Sequence, residues 1–247
     1  MTNTDFVQLS PYYQFCSLQY AHEPVVLQPQ RYHLGDLVNQ IQLYHPYADW
    51  IYCGPPELED GHAKHILHGA TAQSIRESVE FILSLLVTKL RPLYEPWPDM
   101  YPVSPWLGLL PCPGYALAKD LPRLNDGPPC LSLDARSSEF KQLSPEYRWR
   151  LAERYPGAIN LGDTPLPGLQ DLTEASLPEK FTALARARFF IGIDNGMMHM
   201  ALMTRTPIYG LRSAQVPAWQ HYPYDRRELW VENLNQLPDD LSARPSS

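Results

Sequence analysis

Basic side chains are in short supply: 20 Lys and Arg stand against 27 Asp and Glu, for a formal net charge of -7. A surface that gathers nucleic-acid backbones non-specifically needs clustered cations, so that class of partner is excluded. One or two basic residues aimed at a small phosphate ligand are not. Cysteine is sparse. Cys16, Cys53, Cys112 and Cys130 include no CxxC pair, so neither a disulfide framework nor a cysteine zinc site is expected, and the four read as buried or idle thiols. No apolar run approaches the about 20 residues that span a bilayer. Residues 1–11 lack the basic stretch and apolar run of a signal peptide. The expected location is the cytoplasm. Glycine is scarce beside proline, 13 against 26. Many prolines fall within 92–129, where lost backbone donors and restricted dihedrals argue for loop or broken strand.

What remains is a chain of 247 residues with 44% hydrophobic content, enough for one large domain or two small ones with a substantial core. Residues 22–27, centred on Val25-Val26-Leu27, form a short strand candidate, followed by a polar loop and Gly35-Asp36. From Leu37 the apolar positions Leu37, Val38, Ile41 and Tyr44 recur at helical spacing until Pro46, and 49–53 reads as a second strand. Residues 71–90 carry an apolar stripe and end at Arg91-Pro92. The alternation restarts after a break near Asn125-Asp126-Gly127, which divides the chain into lobes 1–127 and 128–247. Strands are expected at 130–133, 158–161, 189–193 and 207–211. Helices are expected from Pro145, with Ser144 as N-cap, from Leu177, with a Ser176/Glu179 capping box, and over 197–203. Alternating strands and helices imply an α/β protein with parallel sheets, here two Rossmann-like lobes facing a cleft.

One segment concentrates chemistry. A buried strand runs directly into Asp194-Asn195-Gly196-Met197-Met198-His199. Ligands of open α/β sheets bind at strand carboxyl ends, and a helix N-terminus there suits phosphate. Gly196 permits close approach of a ligand to the backbone. His199, one turn into the helix, can point back to the same spot. The plainer alternative makes Asp194 a helix cap and His199 a packed core histidine. His62, His65 and His68 are spaced for one helical face, but no cysteine or carboxylate completes a metal set. They read as polar surface residues, and no metal or organic cofactor is expected. Aromatic residues at 12–20 suit an interaction patch or, more often, a terminal arm tied to the core, and those at 219–224, after the last strand, suit a cleft lining.

Asp171-Leu172-Thr173, Ser176-Leu177-Pro178-Glu179, and the strand leading into Asp194-Asn195-Gly196-x-x-His199 resemble the C-terminal lobe of glycosyltransferase family 9, the ADP-heptose:lipopolysaccharide heptosyltransferases. Asn195 stands where that family usually has serine. Val25-Val26-Leu27 followed by Gly35-Asp36 resembles the family's first strand and Gly-Asp loop, and 130–145 resembles the strand and lysine-bearing loop that open its second lobe. The resemblance covers about 25–53 and 130–211; between them the first lobe is shorter and richer in proline than the family's.

The resemblance implies a glycosyltransferase-B-like fold and inverting, metal-independent transfer from a nucleotide-diphosphate sugar, an ADP-sugar among the candidates, to an acceptor the sequence leaves unidentified. It implies Asp36 as general base beside Gly35, and Lys141, Arg136, Asp194, Asn195, Gly196 and His199 as donor contacts, with Asp36 and His199 facing each other across the cleft. For Asp36 the residues alone equally allow a helix N-cap, and for Lys141 a solvated loop lysine. Two other readings stay open: a non-catalytic nucleotide- or sugar-binding protein derived from this fold, and a phosphorolytic or epimerase-like activity on it.

Overall fold

The computed structural model describes residues 25–26, 34–44, 50–52, 72–86, 91–93, 116–121, 125–135, 141–212, 229–231 and 233–239. The chain divides into two compact units, Met1–Ala116 and Leu117–Ser247. The division falls ahead of the expected break because Ala118 and Gly127 are tied to the second unit. The Ala118 amide donates to Met203 O at 2.8 Å, the Gly127 amide donates to Arg186 O at 2.8 Å, and Gly127 forms a parallel bridge with Ala187.

In the first unit, β1 (Val25–Val26), β2 (Trp50–Tyr52) and β3 (Arg91–Leu93) form a parallel sheet in that order. Helix α1 (Leu34–Tyr44) and helix α2 (Ala72–Leu85) complete the described elements. Helix α1 starts three residues earlier than its strongest apolar stripe suggests. Leu34 extends the buried series Leu37, Val38 and Ile41 at the i, i+3, i+4, i+7 spacing of one helical face. Gly35 and Asp36 therefore lie in the first turn of a helix and not in the loop before it. An aspartate there suits the positive end of the helix dipole. Strand β3 includes Pro92, which the sequence reads as a helix terminator; a proline is tolerated on a border strand, where no ladder hydrogen bond is required of it. The described part of the first unit is thus α/β with parallel strands.

Among the described residues the second unit holds the larger sheet. Its strands are β4 (Cys130–Ser132), β5 (Ile159–Asn160), β6 (Gln170–Asp171), β7 (Phe190–Gly192), β8 (Ile208–Leu211) and β9 (Trp230–Val231). They form one six-stranded sheet in the order β6-β5-β4-β7-β8-β9, every pair parallel. The order runs outward from β4 to β6, then returns to β7 on β4's other side. That reversal between β4 and β7 is the topological switch point of a doubly wound, Rossmann-like sheet.

Three helices are intercalated: α3 (Pro145–Arg154), α4 (Leu177–Arg186) and α5 (Gly196–Ala201). Their ends follow local chemistry. The Ser144 side chain caps α3 with proline in the first turn. Ser176 and Glu179 close a reciprocal capping box on α4. Strands β4 and β7 are buried on both faces, as a central parallel sheet requires. On one face Leu131, Leu133, Ile191 and Ile193 join Leu151, Tyr155 and Phe189 in the main core cluster. By the period-2 alternation, Cys130, Ser132, Phe190 and Gly192 point to the other face. Cys130 is fully buried and burial pushes its thiol up to about 12, so it is inert as a nucleophile. The other three cysteines lie outside the described residues. Among the described residues no helix is long and apolar enough to cross a membrane.

Gly192 leaves no room for a side chain between β7 and β4. A Cβ there would lie 2.9 Å from Ser132 O, which belongs to the neighbouring strand's backbone and cannot move aside, and 2.4 Å from the Phe190 ring. Gly192→Ala should therefore destabilise the protein by about 1–3 kcal/mol, as overpacking typically does. Urea denaturation reads this; a variant as stable as wild type would mean that β4 and β7 are not packed at this separation.

Candidate functional site

The switch point is built from the residues that leave β4 and β7. After Gly192 the chain passes Ile193, Asp194 and Asn195 before entering α5. Asn195 is the helix N-cap. Its Oδ1 accepts from the Met197 amide at 3.0 Å and the Met198 amide at 3.2 Å. Its Nδ2 reaches the other way, donating to Ser132 Oγ at 2.7 Å and to Asp134 O at 2.9 Å. One side-chain amide therefore closes the start of a helix and ties the carboxyl ends of the two strands that flank the switch point. A serine could cap the helix but has no second arm to reach β4.

The Asn195 side chain also occupies amides at the start of α5, the helix terminus expected to suit phosphate. Two of them, Met197 and Met198, are already bonded to Asn195. Gly196 itself is half-buried at the turn.

Beneath the turn lies an ionic cluster. Asp194 is 4% exposed and His199 is 6% exposed. His199 Nε2 lies 3.4 Å from Asp194 Oδ1, and Lys141 Nζ donates to Asp194 Oδ2 at 2.5 Å. Burial by itself would raise the Asp194 carboxyl. The hydrogen bond from His199 and the positive charge of Lys141 outweigh it and hold the group at about 2. The carboxylate is thus a fixed negative charge. The Lys141 side chain is 26% exposed against 3% for its partner, so of this pair it is the lysine that meets solvent. An ammonium has three N–H donors, and a bond to Asp194 uses one.

The loop after β4 is held by a second carboxylate. Asp134, 4% exposed, accepts from Arg148 Nη1 of α3 at 2.9 Å and from the Asp163 amide at 2.8 Å. Neither Asp134 nor Arg148 stands out in the sequence, since the signal that joins them is purely tertiary. The neighbouring Asp171-Leu172-Thr173 segment folds locally: Asp171 accepts from the Thr173 amide at 3.1 Å and from its hydroxyl at 3.2 Å, and Lys180 Nζ donates to Thr173 O at 2.7 Å.

Of the residues expected at the site, the fold brings Lys141, Asp194, Asn195, Gly196 and His199 together at the carboxyl ends of β4 and β7. The backbone of Gly35 and Asp36 lies in the first unit. The Asp36 side chain, Arg136, His62, His65, His68 and the aromatics at 12–20 and 219–224 lie outside the described residues. Among the described residues no three His, Cys, Asp or Glu side chains are grouped to hold a metal ion. No protein-family model, characterised protein or solved structure matches the chain.

The cluster has a pH signature. Asp194 is held at about 2 in the folded protein, below the about 3.9 of an unperturbed aspartate. Between those values the unfolded chain binds more protons, so the stability that Asp194 contributes is complete above about pH 4 and lost as pH falls towards 2. Wild type should lose on the order of 2 kcal/mol over that window relative to Asp194→Asn. Parallel denaturation of both proteins from pH 5 to 2 checks this; identical pH profiles would show that the carboxylate is not stabilised by its neighbours.

Proposed function

We propose that this protein is a metal-independent, inverting glycosyltransferase of the two-lobed glycosyltransferase-B kind, taking its sugar from a nucleotide-diphosphate donor. The observation that carries the reading is the placement of Lys141. Its partly exposed ammonium is held by a buried carboxylate at the switch point of a Rossmann-like sheet, which is where such sheets take nucleotides. Asn195 and Gly196 follow Asp194 at the same strand end, and Asp194, itself bonded to His199, holds the lysine. The family resemblance adds Asp36 and Arg136.

In this scheme the acceptor hydroxyl attacks the anomeric carbon from the face opposite the nucleotide. The bond between that carbon and the diphosphate oxygen breaks, and its electron pair leaves with the diphosphate. The hydroxyl proton passes to the Asp36 carboxylate. Lys141, with Arg136, offsets the charge that develops on the leaving group and fills the role a divalent cation plays elsewhere. Asp194 keeps the lysine ammonium in place, so no reorganisation is required as that charge appears.

A binding protein without catalysis would use the same strand ends and leave Asp36 idle. The shortness and proline content of the first lobe, read from the sequence, favour that second reading.

A thermal-shift screen of nucleoside diphosphates and nucleotide sugars comes first, because a ligand at 100 times its Kd adds about 2.7 kcal/mol to stability. With a donor in hand, Asp36→Asn should lower turnover by about 10²–10⁴ while leaving donor affinity within a few-fold. Lys141→Ala should weaken donor binding and turnover together, because the phosphate charge exists in ground and transition states alike. Calorimetric affinity beside a turnover assay separates the readings. Full turnover in Asp36→Asn would remove the base from the scheme, and binding without turnover in wild type would favour the non-catalytic protein.

A further inference from the structure

Beside the Lys141 cluster, at the same carboxyl end of the sheet, lies the turn that follows β5. Asn160, 1% exposed, shapes it from within. Its Oδ1 accepts from the Gly162 amide at 3.1 Å and its Nδ2 donates to Thr164 O at 2.8 Å. From outside, the Asp163 amide donates to Asp134 Oδ1. Contact here leaves no slack: a Cβ at Gly162 would lie 2.4 Å from that same oxygen. Asp134 meanwhile offers its carbonyl to Asn195 Nδ2 and its other carboxylate oxygen to Arg148. A single residue therefore joins the carboxyl ends of β4, β5 and β7, and Arg148 orients it from α3.

The Asp134–Arg148 pair is poorly explained as a source of stability. Replacing a buried ion pair with packed apolar groups is often neutral or favourable. This one also leaves Arg148 Nε buried without a hydrogen-bond partner, which carries a desolvation cost. What the pair does supply is direction: the guanidinium occupies one carboxylate oxygen and so turns the other towards the Asp163 amide.

We infer that Arg148 and Asp134 are positioning residues that fix the turn 161–164 as the wall against which the nucleoside half of the ligand lies, as distinct from its phosphate half at Lys141. The inference rests on the nucleotide reading of the switch point. The phosphate end is held by a different ion pair, Lys141 with Asp194. Disturbing the Asp134–Arg148 pair should therefore loosen the nucleoside and spare the phosphates.

The test uses the full chain, with ADP, UDP and inorganic pyrophosphate as probes in calorimetry, and backbone amide exchange across 161–164. Arg148→Met should weaken whichever nucleoside diphosphate binds by about tenfold or more, the equivalent of one or two lost hydrogen bonds, and leave pyrophosphate within about twofold. Arg148→Lys keeps a cation in reach of Asp134 and should recover part of the loss. Amides of 162–164 should exchange faster in the methionine variant than in wild type, and faster than amides of β8. Asp134→Asn offers the same reading should Arg148→Met not fold, because Arg148 and the Asp163 amide bond different carboxylate oxygens and an amide replaces one of those acceptors with an NH2 donor. Equal losses of nucleotide and pyrophosphate would overturn the inference, as would unchanged exchange at 162–164. If wild type binds no nucleoside diphosphate, the nucleotide reading fails and the nucleoside-wall inference falls with it. Faster exchange at 162–164 in the variants would then still separate a positioned turn from an unpositioned one.

Discussion

The second unit depends on how polar atoms at the ends of β4 and β7 are satisfied. Parallel strands buried on both faces end in backbone groups that have lost their ladder partners, and leaving such groups unpaired costs about 1–3 kcal/mol each. Asn195 answers for several at once, accepting from two helix amides and donating to Ser132 and Asp134 across the switch point. Because the same side chain belongs to the helix cap and to the strand junction, α5 cannot shift without disturbing β4. Its neighbours inherit that rigidity. Asp194 precedes Asn195, Gly196 follows it, and His199 lies one turn on, so their positions are set relative to the loop that carries Lys141.

A buried carboxylate would ordinarily be a liability, because removing a charge from water is expensive. Here Asp194 is matched by a lysine on one oxygen and a histidine on the other, and its pKa falls where burial alone would raise it. The result is a cation pinned at the rim by an anion beneath. Such a preset charge stabilises developing negative charge at no reorganisation cost, and it also suits plain phosphate binding. That duality is why the enzymatic and binding readings both rest on Lys141 and part at Asp36.

Much of this was legible in the sequence where local rules decide the outcome. The capping box at Ser176 and Glu179, the proline start of α3 and the buried strand before Asp194 each follow from a few adjacent residues, and the structure has them in place. The two- and three-residue strands were harder. Gln170–Asp171 and Trp230–Val231 are too short for any periodicity to register, and Arg91–Leu93 contains a proline that argues against a strand. At the site, Lys141 and Asp194 each suggested ligand contact, but their pairing across 53 positions did not show. The role of Asn195 as a two-way tie depends on Ser132 and Asp134, which are distant in sequence, and the Asp134–Arg148 pair is invisible until α3 is packed on the sheet. Helix spacing, caps and turns are written locally; which polar groups meet is decided only when the sheet order brings β4, β5 and β7 side by side.

The central claim is one of location: a nucleoside diphosphate binds at the carboxyl ends of β4, β5 and β7. Amide chemical-shift mapping of the intact, isotope-labelled protein during titration with ADP and UDP tests it most directly. The account predicts that the amides moving first and furthest belong to 132–135, Lys141, 162–163 and 194–196. Perturbation confined to the opposite ends of those strands, around Gly127 and Pro156, would contradict it, as would a spectrum that neither nucleotide changes.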